Sequence, residues 1–182
     1  MKKKYNHSFM IARFQPFHNG HKTIIDKMLK ESSFVTIILG SAQESNTENN
    51  PLNIEQRKNL ILNIYGERNN MKIFYMNDIN CDDITWYKHV IQFLKDNVKE
   101  FGFPEAYYCG DMNNGYYYDK GEFKIEIVDR EKQEGYYKIS ATEVRNMIKN
   151  NDEKWKYYIP KENYTLIEKY FKDLVIIKKD NN

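Results

Sequence analysis

Apolar positions along the first part of the chain follow two different spacings. Residues 8–12 and 34–39 are short and almost wholly apolar, which is typical of central strands covered on both faces. After a polar loop, apolar residues then recur at helical spacing, as Ile24, Ile25 and Met28 do behind the first run. The pattern therefore predicts strands that alternate with helices.

The same alternation continues towards the end of the chain. Further strands are predicted at residues 72–76 and 106–109, and the alternating segment 123–127 predicts a strand nearer an edge. Helices are predicted where apolar residues recur at positions 60–64 and 90–98, and over residues 140–150 and 161–172. The pairs Asn53 with Gln56 and Ser140 with Glu143 have the spacing of helix-capping pairs.

Strands that alternate with helices indicate an α/β fold with a doubly wound, mostly parallel sheet. In such a sheet, ligands bind beyond the carboxyl ends of the strands, near the point where strand order reverses. The loops at residues 13–21, 40–51, 78–86 and 110–114 are therefore the candidate functional segments. Because no repeat, linker or change of composition interrupts the pattern, residues 1–182 are predicted to form a single domain.

Composition narrows the classes of function. The 182 residues carry a net charge of only +2, so no polybasic surface for nucleic acid or membrane is expected. No secretory signal is recognisable, and no apolar run approaches the ~20 residues of a membrane-spanning helix. Cys81 and Cys109 lack metal-ligand spacing and are predicted to be reduced thiols of a cytoplasmic protein. Any phosphate-binding site must then be local.

The strongest chemical signal directly follows the first predicted strand, where residues 12–21 are ARFQPFHNGH. If Asn19 and Gly20 begin a helix, His18 and His21 lie near its N-terminus, where unpaired amides and the helix dipole favour anions. Imidazole nitrogens and the guanidinium of Arg13 can donate hydrogen bonds to phosphate oxygens that gain charge in a transition state. A zinc site and a purely structural loop are the alternatives. Zinc is disfavoured because the remaining histidines, His7 and His89, lack clear ligand spacing.

This ten-residue string resembles the start of the HxGH nucleotidyltransferases, and within them the archaeal-type nicotinamide mononucleotide (NMN) adenylyltransferases, which typically begin GRFQPFHxGH. Ala12 stands where that family usually has Gly, Gln56 where it often has Glu, and CGDM at residues 109–112 where archaeal members commonly have SGNP. The resemblance continues, in the family's order, through GSAQ at 40–43, NP at 50–51, Arg57, Asp78, Trp86 and ISATEVR at 139–145.

The ISAT form and Gly110-Asp111 followed by Tyr116-Tyr117-Tyr118 look closest to the adenylyltransferase half of bifunctional proteins that also carry a Nudix domain. No Nudix signature is recognisable, and the chain is too short to hold that second domain. The resemblance implies a Rossmann-like nucleotidyltransferase fold. It also implies a homo-oligomer, since relatives commonly are.

Residue by residue, the resemblance implies two groups of ligand contacts. The residues implied to contact the ATP phosphates and to act in catalysis are Arg13, His18, His21 and Arg145. Those implied to bind the β- and γ-phosphates are Ser140, Thr142 and Arg145. The remaining ATP-binding positions are Ala12, Phe14, Gly20 and Gly110. The implied NMN-binding residues are Ser41, Gln43, Asn50, Arg57, Asp78 and Trp86.

The implied reaction is attack of the NMN phosphate on the α-phosphorus of ATP, which yields NAD+ and pyrophosphate without a covalent enzyme intermediate. No Ser/His/Asp or Cys/His arrangement for nucleophilic catalysis is evident. Mg²⁺ is expected to enter on the ATP phosphates, and no protein metal site is predicted. Alternative hypotheses are an HxGH enzyme acting on pantetheine phosphate, riboflavin phosphate or glycerol phosphate, and a non-catalytic nucleotide sensor.

Overall fold

The computed structural model describes residues 2–111, 121–128 and 140–180, and for residues 173–180 it describes the backbone alone. Tyr116, Tyr117, Tyr118 and Ile139, on which part of the resemblance rests, lie outside the described residues. So do positions 112–114 of the fourth predicted loop.

Five strands form one sheet in the order β3-β2-β1-β4-β5, and each neighbouring pair of these described strands is parallel. The strands are β1 Tyr5–Ala12, β2 Ser32–Leu39, β3 Met71–Tyr75, β4 Ala106–Cys109 and β5 Lys124–Ile127. The chain adds β2 and β3 on one side of β1 and then returns to add β4 and β5 on the other. Strand order therefore reverses beside β1. This arrangement confirms the doubly wound, Rossmann-like prediction, including the edge position of β5.

The helices are α1 Asn19–Glu31, α2 Ile54–Tyr65, α3 Asp83–Asn97, α4 Ala141–Lys149 and α5 Tyr164–Asp180, with 3-10 turns at Lys99–Phe101, Glu153–Tyr157 and Lys161–Asn163. Both predicted capping pairs are present: Asn53 Oδ1 accepts from the Gln56 amide at 2.9 Å, and Ser140 Oγ accepts from the Glu143 amide at 3.2 Å. The predicted helix at 161–172 instead opens with the 3-10 turn, and α5 follows it. Among the described helices, none is long and apolar enough to cross a lipid bilayer.

Apolar side chains cover both faces of the sheet. Met10 of β1 packs in one cluster with Ile25 of α1 and Leu60 of α2, while its neighbour Phe9 packs in a second cluster with Leu94 of α3. Successive residues of a strand point to opposite faces, so a strand buried on both sides needs an almost continuous apolar run. Truncating a fully buried residue such as Leu60 to Ala typically costs about 2–5 kcal/mol.

The register of the sheet brings three of the predicted loops together. Ala12, the last residue of β1, pairs with Leu39 of β2, and Leu39 pairs with Tyr75 of β3. The Gly40 amide also donates to the Ala12 carbonyl at 3.0 Å, and the Met76 amide to the Leu39 carbonyl at 3.0 Å. The loops after β1, β2 and β3 therefore leave the same edge of the sheet side by side.

Candidate active site

The loop after β1 turns sharply into α1. Phe14 has a left-handed backbone (φ 54°), and His18 is the extended N-cap residue before Asn19 begins the helix. The rings of His18 and His21 stack with centroids 3.8 Å apart. His21 Nδ1 accepts from the His18 amide at 3.4 Å, so a neutral His21 carries its proton on Nε2, a tautomer inferred from that bond. The predicted helix start and the pairing of the two histidines are both present.

The N-terminal part of α4 is joined to the loop that precedes α1 by the side chain of Arg145. Its Nη1 donates to the Gln15 carbonyl at 2.8 Å, across 130 residues of sequence, and its Nη2 donates to Thr142 Oγ1 at 3.0 Å. Burial lowers the pKa of Arg145, and the positive charge of Arg13 lowers it further, while Glu48 opposes both. Arg13 and Arg145 are thus close enough to repel, and an anion bound between them would relieve that repulsion.

These residues surround a cavity of about 230 Å³, here called the cationic pocket. It combines the N-terminal residues of two helices with two guanidinium groups, and among the described residues that line it none is acidic. Such a site favours phosphate groups, because helix N-termini and arginine forks both present N–H donors to oxygen anions. Its lining residues are Arg13, Phe14, Gln15, His18, His21, Ser140, Ala141 and Arg145.

A larger cavity of about 440 Å³, here called the wide pocket, lies beside it, and Arg13 lines both. The wide pocket combines an indole ring, two carboxylates and small residues at the ends of β1 and β2. Its volume is that of a small-molecule site. Its lining residues are Ile11, Ala12, Arg13, Gly40, Ser41, Glu44, Asn50, Asp78 and Trp86.

Asp78 is held in place at the wall of the wide pocket. Its carboxylate accepts from the Ser41 amide at 3.1 Å and from Ser41 Oγ at 2.5 Å. The side chain of Gln43 bonds the backbone of Asp78 in both directions, at 3.0 and 3.3 Å. Two loops from neighbouring strands are therefore joined by four hydrogen bonds. Gln43 itself is not on the pocket wall; it positions Asp78.

Arg57 does not lie on the wall of either pocket. Its exposed fraction is 0%, and its guanidinium donates to the backbone carbonyls of Arg13, Gly40 and Ser41 at 3.1, 2.8 and 3.1 Å. Burial lowers its pKa, and the negative charge of Asp78 opposes that shift. The expectation that Arg57 contacts the acceptor is thus corrected: in the structure its two Nη atoms donate to backbone carbonyls beneath the pockets, and its buried Nε has no hydrogen-bond partner among the described residues.

The remaining predicted residues divide between the walls and their support. Gly20 is buried in the first turn of α1, Thr142 supports Arg145, and Gly110 follows β4 without lining either pocket. Gln15 and Glu44 are pocket residues that the sequence pattern does not predict. Gln15 lies within the histidine motif and Glu44 lies within the predicted polar loop. Their position in these two segments is the one sequence feature that could have indicated a place in the pockets.

Within the described part of the chain, no group of three or more His, Cys, Asp or Glu side chains could hold a metal ion.

A parallel sheet whose strand order reverses beside a cationic pocket at two helix N-termini defines a Rossmann-like nucleotide-binding protein. The chain belongs to the Cytidylyltransferase-like family, whose model matches residues 9–147. The expected family resemblance and the nucleotidyltransferase class of enzyme are confirmed by this match and by the relatives.

Two curated relatives are similar over most of their length. The nicotinamide-nucleotide adenylyltransferase of Picrophilus torridus is 30% identical over 158 residues, which cover 84% of this chain and 85% of the relative. The enzyme of the same name from Methanococcus vannielii is 30% identical over 157 residues, covering 85% and 84%. These names agree with the activity that the resemblance implied.

Among solved structures, the chain is similar to a bifunctional NMN adenylyltransferase/ADP ribose pyrophosphatase from Francisella tularensis, complexed with AMP and a Mn ion. The TM-score is 0.73 at 26% identity, and the match covers 94% of this chain and 52% of that one. The chain therefore spans about half the length of the bifunctional protein. A divalent metal accompanies the nucleotide in that relative.

Proposed function

We propose that this protein transfers the AMP moiety of ATP to nicotinamide mononucleotide, which gives NAD+ and pyrophosphate. The observation that carries the proposal is that Arg13 lines both pockets. A reaction between two phosphates needs a polyphosphate site and an acceptor site that share a boundary, with a cation at that boundary.

ATP is assigned to the cationic pocket. Arg13, His18, His21 and Arg145 donate hydrogen bonds to its phosphate oxygens, and the amides at the starts of α1 and α4 add their dipoles. Ser140 caps α4 and, with Thr142, stands where the terminal phosphates of ATP would meet that helix. The histidines favour the transition state most where their N–H groups face charge that develops during the transfer.

NMN is assigned to the wide pocket. The indole of Trp86 offers a flat face to the cationic nicotinamide ring, and the carboxylates of Asp78 and Glu44 add negative potential on the same walls. Ser41 and Asn50 supply polar atoms for the ribose or the carboxamide. Asn50 Oδ1 is buried and has no hydrogen-bond partner among the described residues, so it is a candidate acceptor for a ligand N–H or O–H.

The transfer proceeds in line. An oxygen of the NMN phosphate attacks the α-phosphorus of ATP, a new P–O–P bond forms, and the bond between the α-phosphorus and its bridging oxygen breaks. Pyrophosphate leaves with the electron pair of that bond. An anionic acceptor phosphate needs no general base, so the side chains act by positioning and by neutralising charge.

Mg²⁺ is proposed to arrive as part of the substrate, MgATP. This fits the part of the cationic pocket's lining that the structure describes, which offers arginine, histidine and backbone N–H groups rather than carboxylates. Mg²⁺ is commonly held by phosphates and water with few protein ligands. Homo-oligomeric assembly, a cytoplasmic location and a single domain over residues 1–182 remain predictions.

The test is an acceptor screen with purified protein, ATP and Mg²⁺. NMN, pantetheine phosphate, riboflavin phosphate and glycerol phosphate are offered separately, and pyrophosphate release is followed together with NAD+ formation. Turnover with NMN at least about 100-fold above the other acceptors is expected from a site matched to one acceptor. Pyrophosphate release with another acceptor and none with NMN would reject the acceptor. Nucleotide binding without any release would favour the sensor hypothesis.

A further inference from the structure

Arg57 is a charged side chain that the proposed reaction leaves without a role. It belongs to the first turns of α2, on the apolar side that also carries Leu60 and Ile61, and its exposed fraction is 0%. A buried guanidinium is costly unless its N–H groups find acceptors. Here two of its nitrogens reach three backbone carbonyls.

Those carbonyls belong to the loops that leave β1 and β2. The Arg13 carbonyl immediately precedes Phe14, which has φ 54°. The Gly40 carbonyl immediately precedes Ser41, which has φ 49°, and the third carbonyl is that of Ser41 itself. Residues with side chains rarely adopt this left-handed conformation, and they keep it only where the surroundings hold them. One guanidinium therefore bonds to two strained turns at once.

Each of these turns places a wall of a pocket. The first orients Arg13, which lines both pockets, and leads to His18 and His21. The second orients Ser41, whose amide and hydroxyl hold the carboxylate of Asp78. The distance between the ATP phosphates and the acceptor phosphate thus depends on the two turns keeping their relative placement.

We propose that Arg57 is a positioning residue that fixes the two strained turns against each other and so aligns the donor and acceptor pockets. The proposal rests on the proposed function for its kinetic consequence. Its structural consequence, an ordered Ser41 turn, does not depend on which acceptor the protein uses.

The test compares Arg57→Lys and Arg57→Gln with the unchanged protein. A lysine keeps the charge but cannot reach three carbonyls with one planar fork, and glutamine keeps one pair of donors without the charge. We expect kcat to fall by about 10-fold or more in both variants, since small misplacement of reacting groups is costly, while KM for ATP and for NMN each change less than about threefold. In hydrogen–deuterium exchange, the Ser41 amide should lose protection while the amides within α3 keep theirs.

Leu60→Ala is the matched control, because Leu60 lies one turn further along α2, is fully buried and has no bond to either loop from its side chain. It should lower the midpoint of unfolding while leaving kcat and Ser41 exchange unchanged at temperatures where all variants are folded. Unchanged kcat and Ser41 protection in the Arg57 variants would overturn the proposal. So would equal losses in Leu60→Ala, because Arg57 would then act through global stability alone. If the unchanged protein fails to make NAD+, the proposed function falls and the exchange experiment still decides the role of Arg57.

Discussion

The imidazole rings of His18 and His21 stack with an angle of 25° between their planes, and both line the cationic pocket. His18 is the N-cap of α1, so the chain changes there from extended to helical backbone, and His21 follows on the first turn. The backbone bond to Nδ1 directs the Nε2 proton of a neutral His21 away from the chain that precedes the helix. We therefore predict that the pair donates hydrogen bonds to one anion in the cationic pocket.

His21→Ala should lower kcat far more than it weakens ATP binding. The reason is that the lost hydrogen bond strengthens as charge develops on the phosphate, and removing one such donor typically costs about 100-fold or more in kcat. Steady-state kinetics with ATP and NMN, together with ATP binding by calorimetry, separate the two effects. Lys22→Ala, on the same helix with a side chain paired to Asp26, is the control and should keep normal kcat. A normal kcat for His21→Ala would show that the histidine motif at residues 12–21 does not contribute to catalysis as proposed.

Arg145→Lys should impair the reaction in both directions even though it keeps the positive charge. The guanidinium spans the Gln15 carbonyl and Thr142 Oγ1 while it faces the pocket, and an ammonium cannot reproduce that fork. We expect pyrophosphate affinity, measured in the reverse reaction, to fall by about tenfold or more, the scale of one charge-assisted hydrogen bond. Lys149→Arg, in the exposed last turn of α4, is the control. Arg145 would lie outside the phosphate site if the lysine variant bound pyrophosphate normally.

Much of the fold follows from local signals in the sequence. Asn53 with Gln56 and Ser140 with Glu143 cap the helices at the predicted positions, since a capping pair depends only on side chains three residues apart. The apolar runs predicted the central strands, because burial on both faces leaves few polar positions. The four loops could then be placed at one edge by the geometry of parallel sheets.

The inner supports of the site could not be predicted in the same way. An arginine among polar neighbours in sequence resembles a ligand-binding residue, and only the folded chain shows that the two Nη atoms of Arg57 donate to three backbone carbonyls. The left-handed turns at Phe14 and Ser41 occupy residue types that rarely adopt them, so composition gave no signal. The bond from Arg145 to Gln15 joins segments that no local pattern relates.

His7 should make the stability of the protein fall in mild acid. Its ring is buried between the Gly102 carbonyl, 2.6 Å from Nδ1, and Thr36 Oγ1, 2.8 Å from Nε2, and burial lowers its pKa below the ordinary value of 6.5. Below pH ~6.5 the unfolded chain takes up a proton that the folded chain resists, so stability is full above that pH and is lost as pH falls towards the folded pKa.

Urea unfolding between pH 8 and pH 5 measures this effect, with a limit of about 1.4 kcal/mol per pH unit for one proton. His7→Phe, which cannot be protonated, should show a flatter dependence over the same range. Comparison of each protein with itself at pH 8 removes the packing cost of the substitution. An unchanged pH dependence in His7→Phe would assign the loss of stability to other groups.

Trp86 is the residue through which the acceptor can be tested most directly. It lies in the first turn of α3, which begins at Asp83 after the N-cap Asp82. It lines the wide pocket, and the centroid of its ring is 5.8 Å from that of His89. An indole face stabilises a cationic ring by roughly 1–2 kcal/mol when water is excluded. Trp86→Ala should therefore raise KM for NMN by about tenfold while KM for ATP stays within a few-fold.

Fluorescence gives a measurement of the same contact without turnover. The chain has two tryptophans, and Trp155 is buried in the core, so Trp155→Phe leaves Trp86 as the only indole emitter. Titration of that variant with NMN should quench its emission, and titration with glycerol phosphate, which has no ring to stack, should not. Trp86→Phe should keep part of the NMN affinity, because a phenyl face retains a weaker cation–π attraction. Equal KM values for NMN in the unchanged protein and Trp86→Ala would place the nicotinamide ring elsewhere and reopen the choice of acceptor.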